Sequence, residues 1–276
     1  MLVAAAIVAL YDVVVPRLMP DGGHSADVQQ ENVIHAQSYL YPRAAVDTVV
    51  VGSSKLARLD FSEKSGIFNL AISGQGARTG LELVLRSPAR PRRVVIEVGD
   101  TLLREPDAAF LSGLFNPVND RLRRWIPVLR DTYQPGAILN ELAKRLGPKS
   151  KPVDQPMTPD LYQKVLQAAI DKHTVAPAPE VLARIMTSLQ RQLAALRARG
   201  AAVYFFEPPE EPQVWNSPQS TRIRQEVERL FPDVPRFPAF PLSGPGSYRT
   251  TDGIHLDVAS AKRFGAALEA WLATQP

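Results

Sequence analysis

Four short runs of β-branched and aromatic residues limit most strongly what this chain can fold into. They are DTVVVG (47–52), IFNLAIS (67–73), RVVIEVG (93–99) and AAVYFFE (201–207). Each run is apolar almost throughout, which is the pattern of strands that are buried on both faces. We therefore predict a parallel sheet with helices on both sides.

Helical patterns lie between and beside these strands. Residues 76–87, 180–199 and 258–273 place apolar side chains at helical spacing, and the second segment is followed by Gly200, a residue type that often ends helices. Strands that alternate with helices indicate an α/β fold. The predicted fold class is a three-layer open parallel sheet flanked by helices.

The stretch from about 104 to 178 interrupts this alternation with short helical patterns broken by Pro and Gly. We interpret it as a helical insertion after the third strand of one domain, 47–276, and not as a domain with its own core. Within it, Arg121, Arg123 and Arg124 precede Trp125 directly. Such a cluster could contact phosphate headgroups or an anionic polymer, although a solvated helix face is its more common role.

The N-terminal segment MLVAAAIVALYDVVV is apolar apart from Asp12. A membrane-spanning helix needs about 20 predominantly apolar residues, so a buried helix and a signal anchor both stay open. Pro16 and Arg17 follow where a helix would leave the membrane, and no signal-peptidase cleavage pattern is visible. We predict a signal anchor or hydrophobic helix over 1–19 and a helical lead over 20–46.

Composition excludes several classes of function. The 276 residues include 32 basic and 28 acidic ones, for a net charge of +4, which is too small and dispersed to indicate nucleic-acid binding. The absence of cysteine excludes disulfides, thiolate metal sites and a cysteine nucleophile. No His or carboxylate cluster has metal-binding spacing, so we expect no metal and no cofactor.

Small and polar residues follow three of the predicted strands, at 52–54, 73–76 and 97–101. Sites in open α/β sheets form at these strand ends. A serine nucleophile there needs a histidine base, and the base needs a carboxylate to orient it. Of the four histidines, we single out His255, because Asp252 precedes it by three residues and a predicted helix follows. The spacing lets Asp252 contact Nδ1 and leaves Nε2 facing a serine.

Three motifs, which follow one another along the predicted α/β pattern, resemble those of the SGNH/GDSL hydrolases. VVVGSS resembles the first block of that family, which implies that Ser54 is the nucleophile and Ser53 a turn residue. NLAISGQG resembles the second block and implies that the N–H of Gly74 donates to the oxyanion. DGIHL resembles the last block and implies that Asp252 orients the base His255. The resemblance covers about 45–101 and 200–272, and it implies an SGNH/flavodoxin-like sheet.

The third block departs from the family pattern. The family has Gly-x-Asn-Asp, whose Asn amide donates to the oxyanion, whereas this chain has Thr101 at the Asn position. The Thr101 hydroxyl is a candidate replacement donor, as are the Ser54 amide and Gln75. Loss of one such donor typically costs on the order of 10²–10³ in rate.

Two further residues are candidates for substrate binding. Gln75 follows the predicted oxyanion glycine, and Arg78 opens the next helix, where it could clamp a carboxylate. Lys55, next to the predicted nucleophile, is expected to face solvent.

The branch of the family most similar to this chain is membrane-anchored and O-acylates bacterial polysaccharides, as in alginate O-acetylation or teichoic-acid modification. This implies serine-dependent transfer of an acyl group, most simply acetyl, to a polysaccharide hydroxyl at the periplasmic face of the inner membrane. A membrane-bound acyltransferase would supply the acyl group, and the N-terminal segment would hold the chain on the membrane. Two alternatives stay open: a carbohydrate esterase, and a non-catalytic glycan-binding subunit of a polysaccharide synthesis or export complex.

Overall fold

A parallel sheet of four strands lies at the centre of the larger part of the chain. The computed structural model describes residues 2–147, 157–238 and 247–276. The strands are β1 (Thr48–Gly52), β2 (Ile67–Ala71), β3 (Arg93–Glu97) and β4 (Ala202–Phe206). Their order is β2-β1-β3-β4, and every neighbouring pair is parallel. The four predicted strands are confirmed, with ends that differ by at most two residues.

Eleven helices accompany these strands in the ranges just given. They are α1 (Leu2–Leu18), α2 (Val28–Leu40), α3 (Ala77–Arg86), α4 (Ala108–Leu114), α5 (Pro117–Trp125), α6 (Pro135–Leu146), α7 (Pro159–Lys172), α8 (Pro179–Ala198), α9 (Pro212–Trp215), α10 (Pro218–Leu230) and α11 (Val258–Ala273). The helices predicted from apolar spacing correspond to α3, α8 and α11 and are confirmed.

Successive side chains of a strand point to opposite faces of the sheet. Both faces of this sheet are therefore apolar, and helices cover both. On one face, Val50, Val95 and Phe206 share a core cluster with Phe264 and Leu268 of α11. On the other face, α3 packs on β1 and α8 packs on α3 and β4. The apolar runs of the sequence thus belong to strands buried on both sides, as an α/β fold requires.

The chain divides into two compact units. One consists of Met1–Arg43 and Asp107–Lys151, and the other, which contains the sheet, consists of Ala44–Pro106 and Pro152–Pro276. The first unit has a small apolar cluster of its own, formed by Met19, Val128, Tyr133 and Ile138. The structure therefore divides the predicted insertion differently: its first part joins the N-terminal residues, and α7 belongs to the sheet unit. Residues 148–156 of the insertion lie outside the described residues.

The N-terminal segments form helices in both places where the sequence predicts them. Helix α1 lies within 1–19, and α2 lies within 20–46, where the Asp27 side chain accepts the N–H of Gln30 and caps the helix. Among the residues that the structure describes, no helix combines the length and the apolarity that crossing a bilayer requires. The role of α1 as an anchor stays a prediction.

Candidate active site

Ser54 lies two residues after the end of β1, at the carboxyl edge of the sheet. The chain crosses from one side of β1 to the other between β2 and β3, so the strand order reverses at this point. Ligand sites in open α/β sheets form at such reversals. Ser54 begins a short 3₁₀ turn, and the Ser53 hydroxyl caps this turn by accepting the N–H of Lys55 at 3.3 Å.

A half-buried side chain in the middle of β2 fixes the segment that follows Ser54. The Asn69 amide nitrogen donates to the carbonyl oxygens of Leu56 at 2.8 Å and Leu59 at 3.0 Å. These bonds hold the chain downstream of the turn against the neighbouring strand. Ser54 therefore projects from a turn that is fixed on both sides.

A chain of hydrogen bonds connects Ser54, His255 and Asp252. The Ser54 Oγ lies 2.9 Å from His255 Nε2, and His255 Nδ1 lies 2.6 Å from Asp252 Oδ2. The second carboxylate oxygen of Asp252 accepts the backbone N–H groups of Ile254 at 3.1 Å and His255 at 2.8 Å. Since the carboxylate accepts from Nδ1, Nε2 is left to accept a proton from the serine.

The surroundings of Asp252 favour its charged form. Burial raises the pKa of the carboxyl, but the hydrogen bonds from the His255 ring and from the backbone N–H groups outweigh burial and lower the pKa below its ordinary value. Asp252 thus remains a carboxylate near neutral pH. A carboxylate in this position can stabilise a positive charge on the imidazole.

Helix α7 supports the loop that carries Asp252 and His255. The Tyr162 hydroxyl of α7 donates to Glu211 Oε1 at 2.8 Å and lies 2.9 Å from the Thr250 hydroxyl. The Glu211 N–H donates to the carbonyl of Gly253 at 2.9 Å. Gly253 has φ +91° and a Cβ there would lie 2.7 Å from Leu166 of α7, so this position requires glycine.

A buried carboxylate lies behind the predicted nucleophile. Glu97, at the end of β3, is fully buried and accepts the N–H of Ser53 at 2.5 Å and its hydroxyl at 3.0 Å. The Thr101 hydroxyl donates to the same carboxylate at 3.1 Å. Burial raises the pKa of Glu97 above its ordinary value. Glu97 therefore positions the turn from within the protein.

The bond to Glu97 corrects the role expected for Thr101. A hydroxyl has a single proton to donate, and the Thr101 proton is directed at Glu97. Only 1% of the surface of Thr101 is exposed. In this arrangement the Thr101 hydroxyl supports the turn and is not available as an oxyanion donor.

Lys55 is buried, and the expectation that it faces solvent is wrong. Its Nζ contacts Asp100 Oδ1 at 2.6 Å and also Glu210 Oε1. Although burial lowers the pKa of Lys55, the carboxylates of Glu210, Asp100 and Glu97 raise it above the ordinary value. Its charge is needed inside the protein because carboxylates from two distant segments meet there.

The other oxygen of Asp100 faces a histidine. His173 Nε2 lies 3.5 Å from Asp100 Oδ2, too far for a good hydrogen bond, and the two attract each other when the imidazole is protonated. Lys55 and His173 outweigh burial and lower the pKa of Asp100 well below its ordinary value. The Asp100 carboxylate is thus balanced by the adjacent charge of Lys55.

Two backbone N–H groups remain as candidates for holding an oxyanion. Gly74 is exposed, has φ +77°, and has open space where a side chain would stand. Ser54 is the first residue of its 3₁₀ turn, and N–H groups at the start of a helical turn have no partner within it. Both groups are backbone donors at adjacent strand ends.

The structure corrects the substrate-binding role predicted for Arg78 and shows a hydrogen bond within the protein for Gln75. Arg78 is 3% exposed, and its guanidinium donates to the Arg104 carbonyl and to Glu105 Oε2 at 3.0 Å, so it is not a free cation for substrate. Gln75 is half-buried, and its side-chain oxygen accepts a long hydrogen bond from Thr79 at 3.4 Å. Its role in substrate binding stays a prediction.

The sequence did not predict the buried contacts of Glu97 and Lys55, or the presence of Glu210 and His173 in this region. Glu97 bonds to a residue 44 positions away, and Lys55 pairs with Glu210 across 155 positions. No local spacing reveals such pairs. The one available signal was the group of charged residues at the end of the third strand, EVGD.

Comparisons with known proteins add no identity to this geometry: no protein-family model, curated protein or solved structure matches the chain. Within the described ranges, no group of three or more His, Asp or Glu side chains is arranged to hold a metal ion. Interpretation of the site therefore depends on its own chemistry.

Proposed function

We propose that this chain is a serine-dependent acyltransferase with an SGNH-type fold. The observation that carries the proposal is the chain of hydrogen bonds from Asp252 through His255 to Ser54. These three residue types in this connectivity activate a hydroxyl that is otherwise a weak nucleophile.

In the proposed first step, Ser54 Oγ attacks the carbonyl carbon of an acyl donor while His255 Nε2 takes the hydroxyl proton. The negative charge on the carbonyl oxygen is held by the N–H groups of Gly74 and Ser54. Asp252 stabilises the imidazolium. His255 then gives its proton to the leaving group as the bond to the donor breaks, and the acyl group stays on Ser54 as an ester.

In the second step, an acceptor hydroxyl loses its proton to His255 and attacks the ester carbonyl. The bond to Ser54 breaks, and His255 returns the proton to the serine. We propose a hydroxyl of a bacterial cell-surface or exported polysaccharide as the acceptor, because the three motifs resemble those of the SGNH-like proteins that acylate such polymers. A membrane-bound acyltransferase is the proposed source of the acyl group, and α1 the proposed attachment to the periplasmic face of the inner membrane.

The same steps with water as acceptor describe a carbohydrate esterase. A third candidate, a glycan-binding subunit without catalysis, is favoured by one observation: Thr101 stands where the family has its Asn donor, and its hydroxyl is engaged by Glu97. The intact connection between Ser54 and His255 favours the enzyme instead.

An acyl-transfer assay separates the three. The full chain is incubated with an activated acetyl ester, with and without an oligosaccharide acceptor, and the sugar and the protein are both analysed by mass spectrometry. We expect acetylated sugar and a transient acetyl group on Ser54, and the loss of both in Ser54→Ala. Ser112→Ala, at an exposed serine of α4, is the matched control and should behave as the unchanged protein.

Release of acetate without acylated sugar would identify the esterase. Absence of acetate, of acylated sugar and of labelling of Ser54 by a serine-reactive phosphonate would contradict an enzymatic role.

A further inference from the structure

Helix α5 presents an apolar stripe to the outside of the first unit. Asn116 caps the helix and Pro117 begins it, and none of its residues is buried. Val118, Leu122 and Trp125 are spaced by four and three residues and so share one face. They are 66%, 43% and 79% exposed. An exposed tryptophan in line with two exposed aliphatic residues is unusual for a helix packed on its own protein.

The opposite face of α5 explains this orientation. There, Asp120 accepts the Tyr41 hydroxyl at 2.8 Å, and Arg123 donates to Asp131 at 3.3 Å. Charged side chains thus attach the helix to its own unit, while the apolar side chains point away. This is the reverse of the usual arrangement, in which the apolar face packs on the core.

A second exposed apolar surface adjoins α5 in the same unit. The turn that follows α5 packs against α1, where Asp12 Oδ1 accepts the N–H of Val128 at 3.0 Å. Leu129 of this turn is 42% exposed, and Leu10 and Leu18 of α1 are 65% and 73% exposed. Exposed apolar side chains thus lie on α1, on the turn and on α5, and their contact with water is unfavourable in free energy.

A cation borders the stripe on α5. Arg121 is exposed and lies one turn before Trp125, whereas Arg124 pairs with Asp120 at 3.0 Å on the side that attaches the helix to its unit. Arginine stems can lie along an apolar surface while the guanidinium reaches phosphate oxygens. Tryptophan is enriched where a protein meets the headgroup layer of a membrane.

From these observations we propose that α5 docks on the surface of an anionic phospholipid bilayer and lies in its plane. Val118, Leu122 and Trp125 enter the boundary between headgroups and acyl chains, and Arg121 binds lipid phosphate. Helices of this kind bind through buried apolar area together with attraction to anionic lipids. The docking depends on the first unit alone and is independent of the proposed acyl transfer.

Vesicle flotation with the full chain tests the proposal. Vesicles of phosphatidylcholine with and without phosphatidylglycerol are compared for the unchanged protein, Leu122→Ser and Trp125→Ser. Each substitution should weaken partition by about tenfold, since each removes a large apolar side chain from the lipid boundary. Arg121→Glu should weaken binding to the anionic vesicles and leave binding to the neutral ones unchanged.

Two controls separate α5 from the rest of the chain. Val175→Ser changes a 76% exposed apolar residue of the sheet unit and should leave partition unchanged. Ser54→Ala should also bind vesicles as the unchanged protein does, so failure of the proposed acyl transfer would not affect this test. Circular dichroism confirms that each variant is folded.

Fluorescence supplies a second measurement. Vesicles should shift the emission of the unchanged protein to shorter wavelength, and this shift should be lost in Trp125→Phe. Equal partition of the α5 variants and the unchanged protein would show that α1 or another surface holds the lipid, and the proposal would be wrong. Failure of the unchanged protein to bind anionic vesicles would also overturn the proposal. A protein partner would then be the alternative occupant of the apolar stripe.

Discussion

At the residue scale, the turn of Asp252 decides which nitrogen of His255 meets Ser54. One carboxylate oxygen is occupied by two backbone N–H groups, and the other lies 2.6 Å from Nδ1. The carboxylate cannot rotate without breaking bonds to its own turn. Orientation and charge stabilisation therefore come from one residue.

Asp252→Asn tests this double role. We expect kcat of the proposed transfer to fall by about 10³–10⁴, because the amide does not stabilise the imidazolium and favours the wrong tautomer. The rate is measured with the activated acetyl ester. Asp257→Asn is the matched control: Asp257 caps α11 by accepting the Ser260 N–H at 2.6 Å, and asparagine caps equally well. Equal rates for the two variants would contradict the role of Asp252.

Lys55 makes a different prediction, about stability. Lys55→Met removes the cation between Asp100 and Glu210 and leaves two buried carboxylates without their partner. We expect the free energy of unfolding to fall by about 3–5 kcal/mol, measured by urea denaturation. Lys64→Met, at an exposed lysine, should change it by less than about 0.5 kcal/mol. A small effect at position 55 would show that the carboxylates there are protonated.

At the scale of elements, the loop after β4 and helix α7 form one support for the candidate base. Helix α7 lies within the predicted insertion, which the family motifs do not cover. The structure places Tyr162 and Leu166 of α7 against Glu211, Thr250 and Gly253. The position of His255 thus depends on a helix about 90 residues earlier.

Gly253→Ala tests this support. The backbone at φ +91° disfavours a Cβ, and that atom would press on Leu166. We expect a loss of stability of about 1–2 kcal/mol and a lower kcat of acyl transfer, because the loop must shift between Asp252 and His255. Gly113→Ala, in helix α4 with open space around it, should be neutral or slightly stabilising. An unchanged kcat in Gly253→Ala would show that the loop tolerates displacement.

At the scale of the whole molecule, a largely buried carboxyl contributes to the pH dependence of stability. Glu207 follows β4, and burial outweighs the attraction of Arg224 and Arg236 and raises its pKa from 4.5 to about 7. Between these values the folded protein holds a proton that the unfolded chain releases. Stability is therefore lost as the pH rises from about 4.5 through 7.

Glu207→Gln should remove this part of the pH dependence. We expect the contribution of Glu207, at most about 3 kcal/mol between pH 4.5 and 8, to disappear from the difference in unfolding free energy between those conditions. Urea denaturation at several pH values measures it. Glu228→Gln, at a side chain with 59% exposure, should leave the pH dependence as it is. A pH dependence in Glu207→Gln equal to that of the unchanged protein would contradict the contribution of Glu207.

The sequence by itself determined the sheet, the principal helices and the order of the motifs. Strands buried on both faces must be apolar at nearly every position, and Asp252 and His255 are close enough in sequence for one turn to join them. Only the tertiary structure decided that Lys55 is buried, that Thr101 donates to Glu97, and that residues 107–147 form one unit with the N-terminal residues. Those outcomes depend on charges and apolar side chains brought together from distant segments, whose pairing no local pattern records.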